Sequence, residues 1–160
     1  MRLLPPDPGP RLIVYCDGAA RGNPGPAGIG AAVFAEDGSL IAEVAEGIGV
    51  ATNNVAEYKA AIAGLERCRD LGAREVTVRA DSKLLVEQLS GRWRVKNATL
   101  IRLHGEARAL MKAFDRVRFE HIPRERNKVA DRLANRGVDT WLRETGGGYV
   151  ANEPSPELFG

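Results

Sequence analysis

Four acidic residues lie where predicted strands end or predicted helices begin, and together they form a set that could do chemistry. They are Asp17, Glu57, Asp81 and Asp131. If their side chains converged, four negative charges would repel one another unless a cation held them. Carboxylate oxygens are hard ligands that suit Mg²⁺ or Mn²⁺. Because two such ions form the known clamp for in-line attack on a phosphodiester, the acids predict metal-dependent phosphodiester hydrolysis.

Each acid also has a purely structural interpretation, which the sequence leaves open. Asp17 is followed by glycine, and aspartate is common in turns. Glu57 stands three residues after Asn54, which is the spacing of a capping box at a helix start. Asp81 lies at a strand-to-helix junction, where aspartate is a favoured N-cap. Asp131 falls in the first turn of the last predicted helix, where the macrodipole favours an acid.

The elements that must position these acids follow from the hydrophobic pattern. Apolar and β-branched runs predict five strands, over 12–16, 28–35, 40–47, 76–80 and 117–122. Apolar residues three and four apart predict four helices: one ending near Leu71, one over 82–89, one opening at Asn97 and one over 128–142. The order of elements is therefore β-β-β-α-β-α-α-β-α.

This order predicts an α/β fold built on a five-stranded mixed sheet. Hairpins join the first three strands antiparallel, whereas helical crossovers add the last two parallel to a strand already in the sheet. Helices then cover both faces. Asp17 and Asp81 are expected to end neighbouring parallel strands, at the edge where open α/β sheets bind their ligands.

The composition fits one ordinary globular domain. Of 160 residues, 44% are hydrophobic and 28% are charged, and the net charge of +2 does not by itself indicate nucleic-acid binding. We expect a flexible N-terminal arm over 1–10, a folded domain over 11–144 and a flexible C-terminal tail over 145–160. Because the sequence shows no apolar span, no signal peptide and no paired metal-ligand cysteines, we expect a cytoplasmic protein without membrane association.

Four runs of residues resemble, in the same order, the four motifs of type 1 ribonucleases H. They are DGAARGNPGPAG (17–28), TNNVAEY (52–58), ADS (80–82) and IPRERNKVAD (122–131), and the resemblance spans about residues 11–142. It implies the ribonuclease H-like fold, with the four acids as catalytic residues and metal ligands. It further implies an endonuclease that hydrolyses the RNA strand of RNA·DNA hybrids with two Mg²⁺ or Mn²⁺ ions. The expected products carry 5′-phosphate and 3′-hydroxyl ends, and we expect a monomer.

Three asparagines match the positions at which this family contacts RNA 2′-hydroxyls: Asn23, Asn53 and Asn54. An amide both donates and accepts hydrogen bonds, so it can bind a hydroxyl, and the 2′-hydroxyl is what distinguishes RNA from DNA. The alternative interpretation is that all three are turn or cap residues.

Three further positions match the family's contacts to the DNA strand. Thr52 and Asn97 correspond to a phosphate pocket, and Trp93 resembles the aromatic that packs on DNA sugars. Trp93 lies in a basic run that also holds Arg92, Arg94 and Lys96. The alternatives are a plain N-cap for Asn97, a core or hinge aromatic for Trp93 and a solvated face for the basic run.

The sequence departs from many family members in two places. Only about residues 90–96 separate two helices that many members join through a basic helix and loop, so the chain resembles the compact subtype. The loop before Asp131 is short and contains no glycine, and Arg124 occupies the place of a mobile catalytic histidine. We expect Arg124 to assist catalysis, while His121 ends a strand.

Two other functions stay open from the sequence. One is a hybrid-binding module with weak catalysis, against which the four intact acids argue. The other is a DNA nuclease or transposase on the same fold, which the asparagine set disfavours.

Overall fold

A computed structural model describes residues 10–146 of the chain. The arm expected over 1–10 and the tail expected over 145–160 lie outside this range, apart from Pro10, Thr145 and Gly146. Within the described range, no helix is both long and apolar enough to cross a membrane.

Within residues 10–146, five strands form one mixed sheet, as predicted. They are β1 (Arg11–Ala20), β2 (Gly25–Ala35), β3 (Leu40–Ala51), β4 (Glu75–Ala80) and β5 (Arg116–His121). Their order across the sheet is β3-β2-β1-β4-β5. The first three strands pair antiparallel, and β4 pairs parallel with both β1 and β5.

Four helices accompany the sheet in the described part of the chain. They are α1 (Asn53–Asp70), α2 (Lys83–Leu89), α3 (Ala98–Met111) and α4 (Lys128–Glu144), and a short 3₁₀ turn (Arg124–Arg126) precedes α4. Three of them begin at a side-chain N-cap: Thr52 before α1, Ser82 before α2 and Asn97 before α3. Each cap oxygen accepts a hydrogen bond from the backbone N–H three residues later, which satisfies one otherwise unpaired donor.

Helices α1 and α4 lie on opposite faces of the sheet, because they contact neighbouring residues of β2. Successive residues of a strand point to opposite faces. A Cβ added at Gly30 would lie 2.2 Å from the carbonyl oxygen of Ala130 in α4. A Cβ added at Gly64 of α1 would instead lie 3.6 Å from the Cβ of Ala31, the next residue of β2. The bare backbone of Gly30 thus lets α4 approach the sheet closely, and the prediction of helices on both faces is confirmed.

The first strand is longer than the hydrophobic run predicted, and Asp17 does not end it. Strand β1 pairs with β2 as far as Ala20, but its pairing with β4 stops at Tyr15 opposite Arg79. The apolar run marks only the part of β1 that is covered by a strand on both sides. Asp17 therefore lies within β1, just where its edge toward β4 becomes free.

Candidate active site

An open cavity of about 600 Å³ lies at the carboxyl ends of β1 and β4. All four predicted acids line it. Arg21, Asn53, His121, Arg124 and Asn135 are among its other lining residues. The four acids therefore lie at the sheet edge where the sequence predicts them.

Three of the four acids meet closely. Asp17 of β1, Glu57 of α1 and Asp81 after β4 each offer a carboxylate oxygen, and these three oxygens lie within 4.8 Å of one another. Asp131, from the first turn of α4, lines the same cavity but is not part of this tight group. The arrangement is a cluster of three acids with a fourth at its margin.

Glycine at position 18 allows α1 to come this close to β1. A Cβ at Gly18 would lie 2.3 Å from the carbonyl carbon of Ala56 and 2.4 Å from the backbone nitrogen of Glu57. These distances are far below normal contact, so any larger residue would push the helix away. Gly18 thereby sets the separation between Asp17 and Glu57.

The structure excludes two of the capping interpretations. Thr52, and not Asn54, is the N-cap of α1, so Glu57 lies beyond the first turn and takes no part in a capping box. Ser82, and not Asp81, is the N-cap of α2. Asp131 does lie in the first turn of α4, as predicted. Since Glu57 and Asp81 cap nothing, their presence in the cavity has no explanation in helix capping.

Burial and mutual repulsion make the acids hard to ionise together. Burial, followed by the negative charges of Asp81 and Asp131, raises the pKa of Asp17 from an ordinary 3.8 to about 7, although a hydrogen bond with Glu57 opposes the shift. Burial and the charge of Asp17 raise the pKa of Glu57 well above its ordinary value of 4.5. Within the described residues, the Glu57 Oε2 atom is buried and has no hydrogen-bond partner.

Such a site favours a bound cation. Buried carboxylate oxygens without partners gain from a positive charge that neutralises them. The donor set consists of carboxylate oxygens alone, which matches the preference of Mg²⁺ and Mn²⁺. The residues present therefore fit a divalent metal.

Two asparagines that the sequence analysis did not single out hold the acids in place. Asn127 is fully buried, and its Nδ2 donates to the carbonyl oxygen of Cys16 at 2.9 Å, beside Asp17. Asn135 Nδ2 donates to the carbonyl oxygen of Asp131 at 3.0 Å. Asn127 lies within the fourth motif, but its partner is 111 residues away in the chain, so no local signal identifies it.

The asparagines predicted to contact RNA form a linked pair and a separate third residue. Asn53 N–H donates to Asn23 Oδ1 at 3.0 Å, and Asn53 Oδ1 accepts from Ala20 N–H at 3.2 Å. Both side-chain oxygens thus accept hydrogen bonds from the backbone, as the turn interpretation supposes, and both residues are exposed. Asn53 also lines the cavity, and half-buried Asn54 follows it in α1.

Two of the residues predicted to contact the DNA strand, Trp93 and Asn97, lie between α2 and α3, whereas Thr52 lies at the start of α1. Asn97 does cap α3 through Oδ1, at 3.1 Å from Leu100 N. Trp93 is 44% exposed, which excludes a core role, and the Lys83 ammonium lies 5.8 Å from its ring centre.

Of the basic residues that the sequence singled out, Arg92 forms an ion pair and Arg124 lines the cavity. Arg92 forms hydrogen bonds of 2.7 and 3.0 Å to the Glu87 carboxylate, so its charge is already paired. Arg124 is exposed on the cavity wall. His121 ends β5, as predicted, and its Nε2 lies 3.2 Å from the carbonyl oxygen of Asp81.

Comparison with known proteins gives a consistent picture. The family described as reverse transcriptase-like matches residues 15–137. The ribonuclease HI of Halobacterium salinarum is 44% identical over 137 residues, which make up 86% of this chain and 69% of that protein. A solved structure of LC11-RNase H1 in complex with an RNA/DNA hybrid is 43% identical, with a TM-score of 0.78, and covers 82% of this chain and 99% of that one.

A bifunctional protein of Mycobacterium tuberculosis is 52% identical over 130 residues, or 81% of this chain. The match covers only 36% of that protein, so the chain spans about a third of the length of its mycobacterial relatives. The similarity therefore concerns one domain. From the family match and the extent of its identity to the Halobacterium protein, the chain belongs to the ribonuclease H family.

Proposed function

We propose that this protein is an endonuclease that hydrolyses the RNA strand of RNA·DNA hybrids and leaves 5′-phosphate and 3′-hydroxyl ends. The observation that carries the proposal is the cluster of Asp17, Glu57 and Asp81, whose oxygens lie within 4.8 Å of one another at the open sheet edge. The family relationship indicates which phosphodiester such a cluster would cleave.

Two divalent ions, Mg²⁺ or Mn²⁺, would be held by the three clustered acids and Asp131. When bound, such a pair activates the attacking water and stabilises the leaving oxygen. The chain itself supplies the negative charge that holds the ions and the rigid spacing of the ligands. The raised pKa values of Asp17 and Glu57 support this role, because a metal would replace the protons that these acids otherwise retain.

Selection of RNA is assigned to Asn23, Asn53 and Asn54. Because the oxygens of Asn23 and Asn53 already accept backbone hydrogen bonds, their amide N–H groups are the atoms that would donate to a 2′-hydroxyl. The bond between the two residues fixes their relative position, so the pair would meet the RNA strand without reorganising.

The DNA strand would be bound by Thr52, Trp93 and Asn97. Thr52 and Asn97 each stand at a helix N-terminus, where backbone N–H groups and the helix dipole favour a phosphate. The exposed face of Trp93 would pack against sugars. Arg124, on the cavity wall, would assist proton transfer or product release by donating to the cleaved phosphate.

All four acids come from one chain, which supports a monomer as the functional unit. Cys16 and Cys68 are buried free thiols, which suits a reducing compartment such as the cytoplasm.

The decisive experiment offers one labelled sequence as RNA·DNA hybrid, duplex RNA, duplex DNA and a DNA junction, each with Mg²⁺, Mn²⁺ or a chelator. We expect metal-dependent internal cuts in the RNA of the hybrid alone, and end-group analysis should give 5′-phosphates. Equal cutting of duplex DNA or of junctions would instead indicate a DNA nuclease. Tight hybrid binding without cleavage would indicate a binding module.

A further inference from the structure

Gln88 of α2 is one of the few buried polar residues of the described chain, and both ends of its amide are bonded. Its Oε1 accepts a hydrogen bond from the Tyr58 hydroxyl at 2.6 Å, and its Nε2 donates to the carbonyl oxygen of Arg94 at 3.1 Å. Its backbone carbonyl oxygen also lies 3.1 Å from His104 Nε2. One side chain thus joins α1 to the residues that follow α2.

Tyr58, at one end of this link, is fully buried and directly follows Glu57 in α1. At the other end, Arg94 directly follows Trp93. We call residues 90–97, between α2 and α3, the connecting segment. The link therefore runs from the helix that carries an acid of the site to the segment that carries Trp93 and Asn97.

The backbone N–H groups of the connecting segment that form hydrogen bonds lie at its start. The N–H groups of Arg92 and Trp93 both donate to the carbonyl oxygen of Glu87, at 2.9 and 3.0 Å, so these two residues are tied to their own helix. Within residues 10–146, no backbone–backbone hydrogen bond holds Arg94, Val95 or Lys96. Within this stretch, Gln88 bonds to the carbonyl oxygen of Arg94, and Val95 packs on the core.

An apolar residue would satisfy packing at position 88, since its neighbours in α2 are Leu85 and Leu89. A buried amide is costly unless both its donor and its acceptor are paired, and once paired it specifies one geometry rather than many. The choice of glutamine here points to orientation rather than to bulk stability.

We propose that Gln88 is a positioning residue for substrate binding: through Arg94 it holds the connecting segment, and with it Trp93, at a fixed place relative to α1 and Glu57. This inference rests on the proposed function, because it assigns the segment to the DNA strand of the hybrid. Gln88 contacts neither substrate nor metal in this role. Its effect is on hybrid affinity, and the chemical step is left unchanged.

The test compares variants that cut the link at different bonds. Gln88→Met removes both side-chain bonds at nearly constant length, and Gln88→Glu keeps an acceptor for Tyr58 but places a carboxylate oxygen against the Arg94 carbonyl. Tyr58→Phe removes only the Tyr58 hydroxyl. The matched control is Val86→Ala, which lies in the same helix, is 1% exposed and destabilises the core without touching the link.

Each variant is measured for kcat and KM on one defined hybrid, and for amide hydrogen exchange at residues 92–96 without substrate. We expect both Gln88 variants to raise KM about five- to tenfold with kcat unchanged, as loss of a buried hydrogen bond implies. Exchange at Arg92 and Trp93, whose N–H groups are hydrogen-bonded to Glu87, should accelerate in both, and Tyr58→Phe should show a smaller change in the same direction. Val86→Ala should lower the melting temperature without changing KM or exchange in the connecting segment.

An unchanged KM in both Gln88 variants would overturn the inference, and so would a KM increase in Val86→Ala as large as theirs. Should Gln88→Met fail to fold, Gln88→Glu and Tyr58→Phe carry the same comparison. If the wild-type protein cut no hybrid, the proposed function would fail, whereas unchanged exchange in Gln88→Met would count against the anchor alone.

Discussion

The side-chain amide of Asn127 donates a hydrogen bond to the carbonyl oxygen of Cys16, 2.9 Å away and directly before Asp17. The carbonyl oxygen of Asn127 in turn accepts a hydrogen bond from the N–H of Asp131 at 3.1 Å. One fully buried residue therefore connects the strand that carries Asp17 to the helix that carries Asp131.

Replacing Asn127 should damage both stability and metal binding. Asn127→Ala leaves the Cys16 carbonyl without its donor, which we expect to cost about 1–3 kcal/mol in urea unfolding. A higher Mg²⁺ concentration should be needed for half-maximal activity. Asn135→Ala is the comparison, because the Asn135 amide bonds to Asp131 and Arg21 and makes no hydrogen bond to Cys16. Equal effects of the two substitutions would contradict the connecting role.

Asp81→Asn should abolish activity without unfolding the protein. Ser82 caps α2, so Asp81 contributes no cap that its loss could remove. If Asp81 is a metal ligand, kcat on a defined hybrid at saturating Mg²⁺ should fall at least about a hundredfold, while melting is unchanged or higher because repulsion is relieved. Ser82→Ala should do the reverse, losing about 1 kcal/mol of stability with activity retained. Full activity in Asp81→Asn would refute its catalytic assignment.

Asp131→Asn should be less severe than Asp81→Asn, since Asp131 lies outside the group of three acids within 4.8 Å. The same kcat measurement, repeated over a range of Mg²⁺ concentrations, checks this order. A larger loss in Asp131→Asn would mean that the marginal acid is the more important ligand.

Without metal, stability should fall as pH rises. The pKa of Asp17 is raised from 3.8 to about 7 and that of Glu57 is raised well above 4.5, so the folded state binds these protons more tightly than the unfolded state. This contribution to stability is fully present below about pH 4 and is lost as the pH rises through about 7. Melting with a chelator at several pH values should show the decline, and Mg²⁺ should reverse it at the upper end. The decline should be smaller in Glu57→Gln, which removes one of the two groups, and an equally steep decline in that variant would contradict the contribution of Glu57.

The salt dependence of hybrid binding should distinguish the basic residues of the connecting segment. Arg92 is paired with Glu87, whereas Arg94 and Lys96 are exposed and form no ion pair within residues 10–146. Arg94→Ala and Lys96→Ala should each reduce the slope of log affinity against log salt by about 1. Arg92→Ala is expected to change it less. A slope equal to that of the wild type in all three variants would mean that the segment is merely a solvated face.

Arg124→Ala should lower kcat modestly, by about three- to tenfold, because a residue that assists proton transfer or product release is not needed to hold the metal. The Mg²⁺ concentration for half-maximal activity should not change. His121→Ala is the comparison, since His121 lines the same cavity and contacts the backbone of Asp81. A larger loss of kcat in His121→Ala would transfer the assisting role to the histidine.

Local patterns were sufficient to predict the order of elements along the chain, the mixed sheet and the edge at which the acids meet. They failed where a choice depended on tertiary contacts. The sequence offered Asp81 as the cap of α2, whereas the structure uses the next residue, Ser82, whose side chain accepts from Leu85 N–H. The end of β1 was likewise set by its pairing with β2 and not by its own hydrophobicity.

The residues that position the site were harder to predict than the acids themselves. Gln88 bonds to Tyr58, 30 residues away, and Asn127 bonds to Cys16, 111 residues away. Nothing in the immediate sequence of either residue reveals its partner. Their chemistry is visible only when burial is known, because an exposed glutamine or asparagine in a helix or turn needs no particular partner.

Gly30 of β2 allows the start of α4 to lie close to the sheet. It lies opposite Asp17 in the pairing of β1 with β2, and its missing side chain leaves the space that the Ala130 carbonyl oxygen occupies, one residue before Asp131. A methyl group at this position would push the start of α4 away from the sheet. Asp131 would then lie farther from the other three acids. A residue with no functional group thus determines how closely the start of α4, and with it Asp131, lies to the sheet.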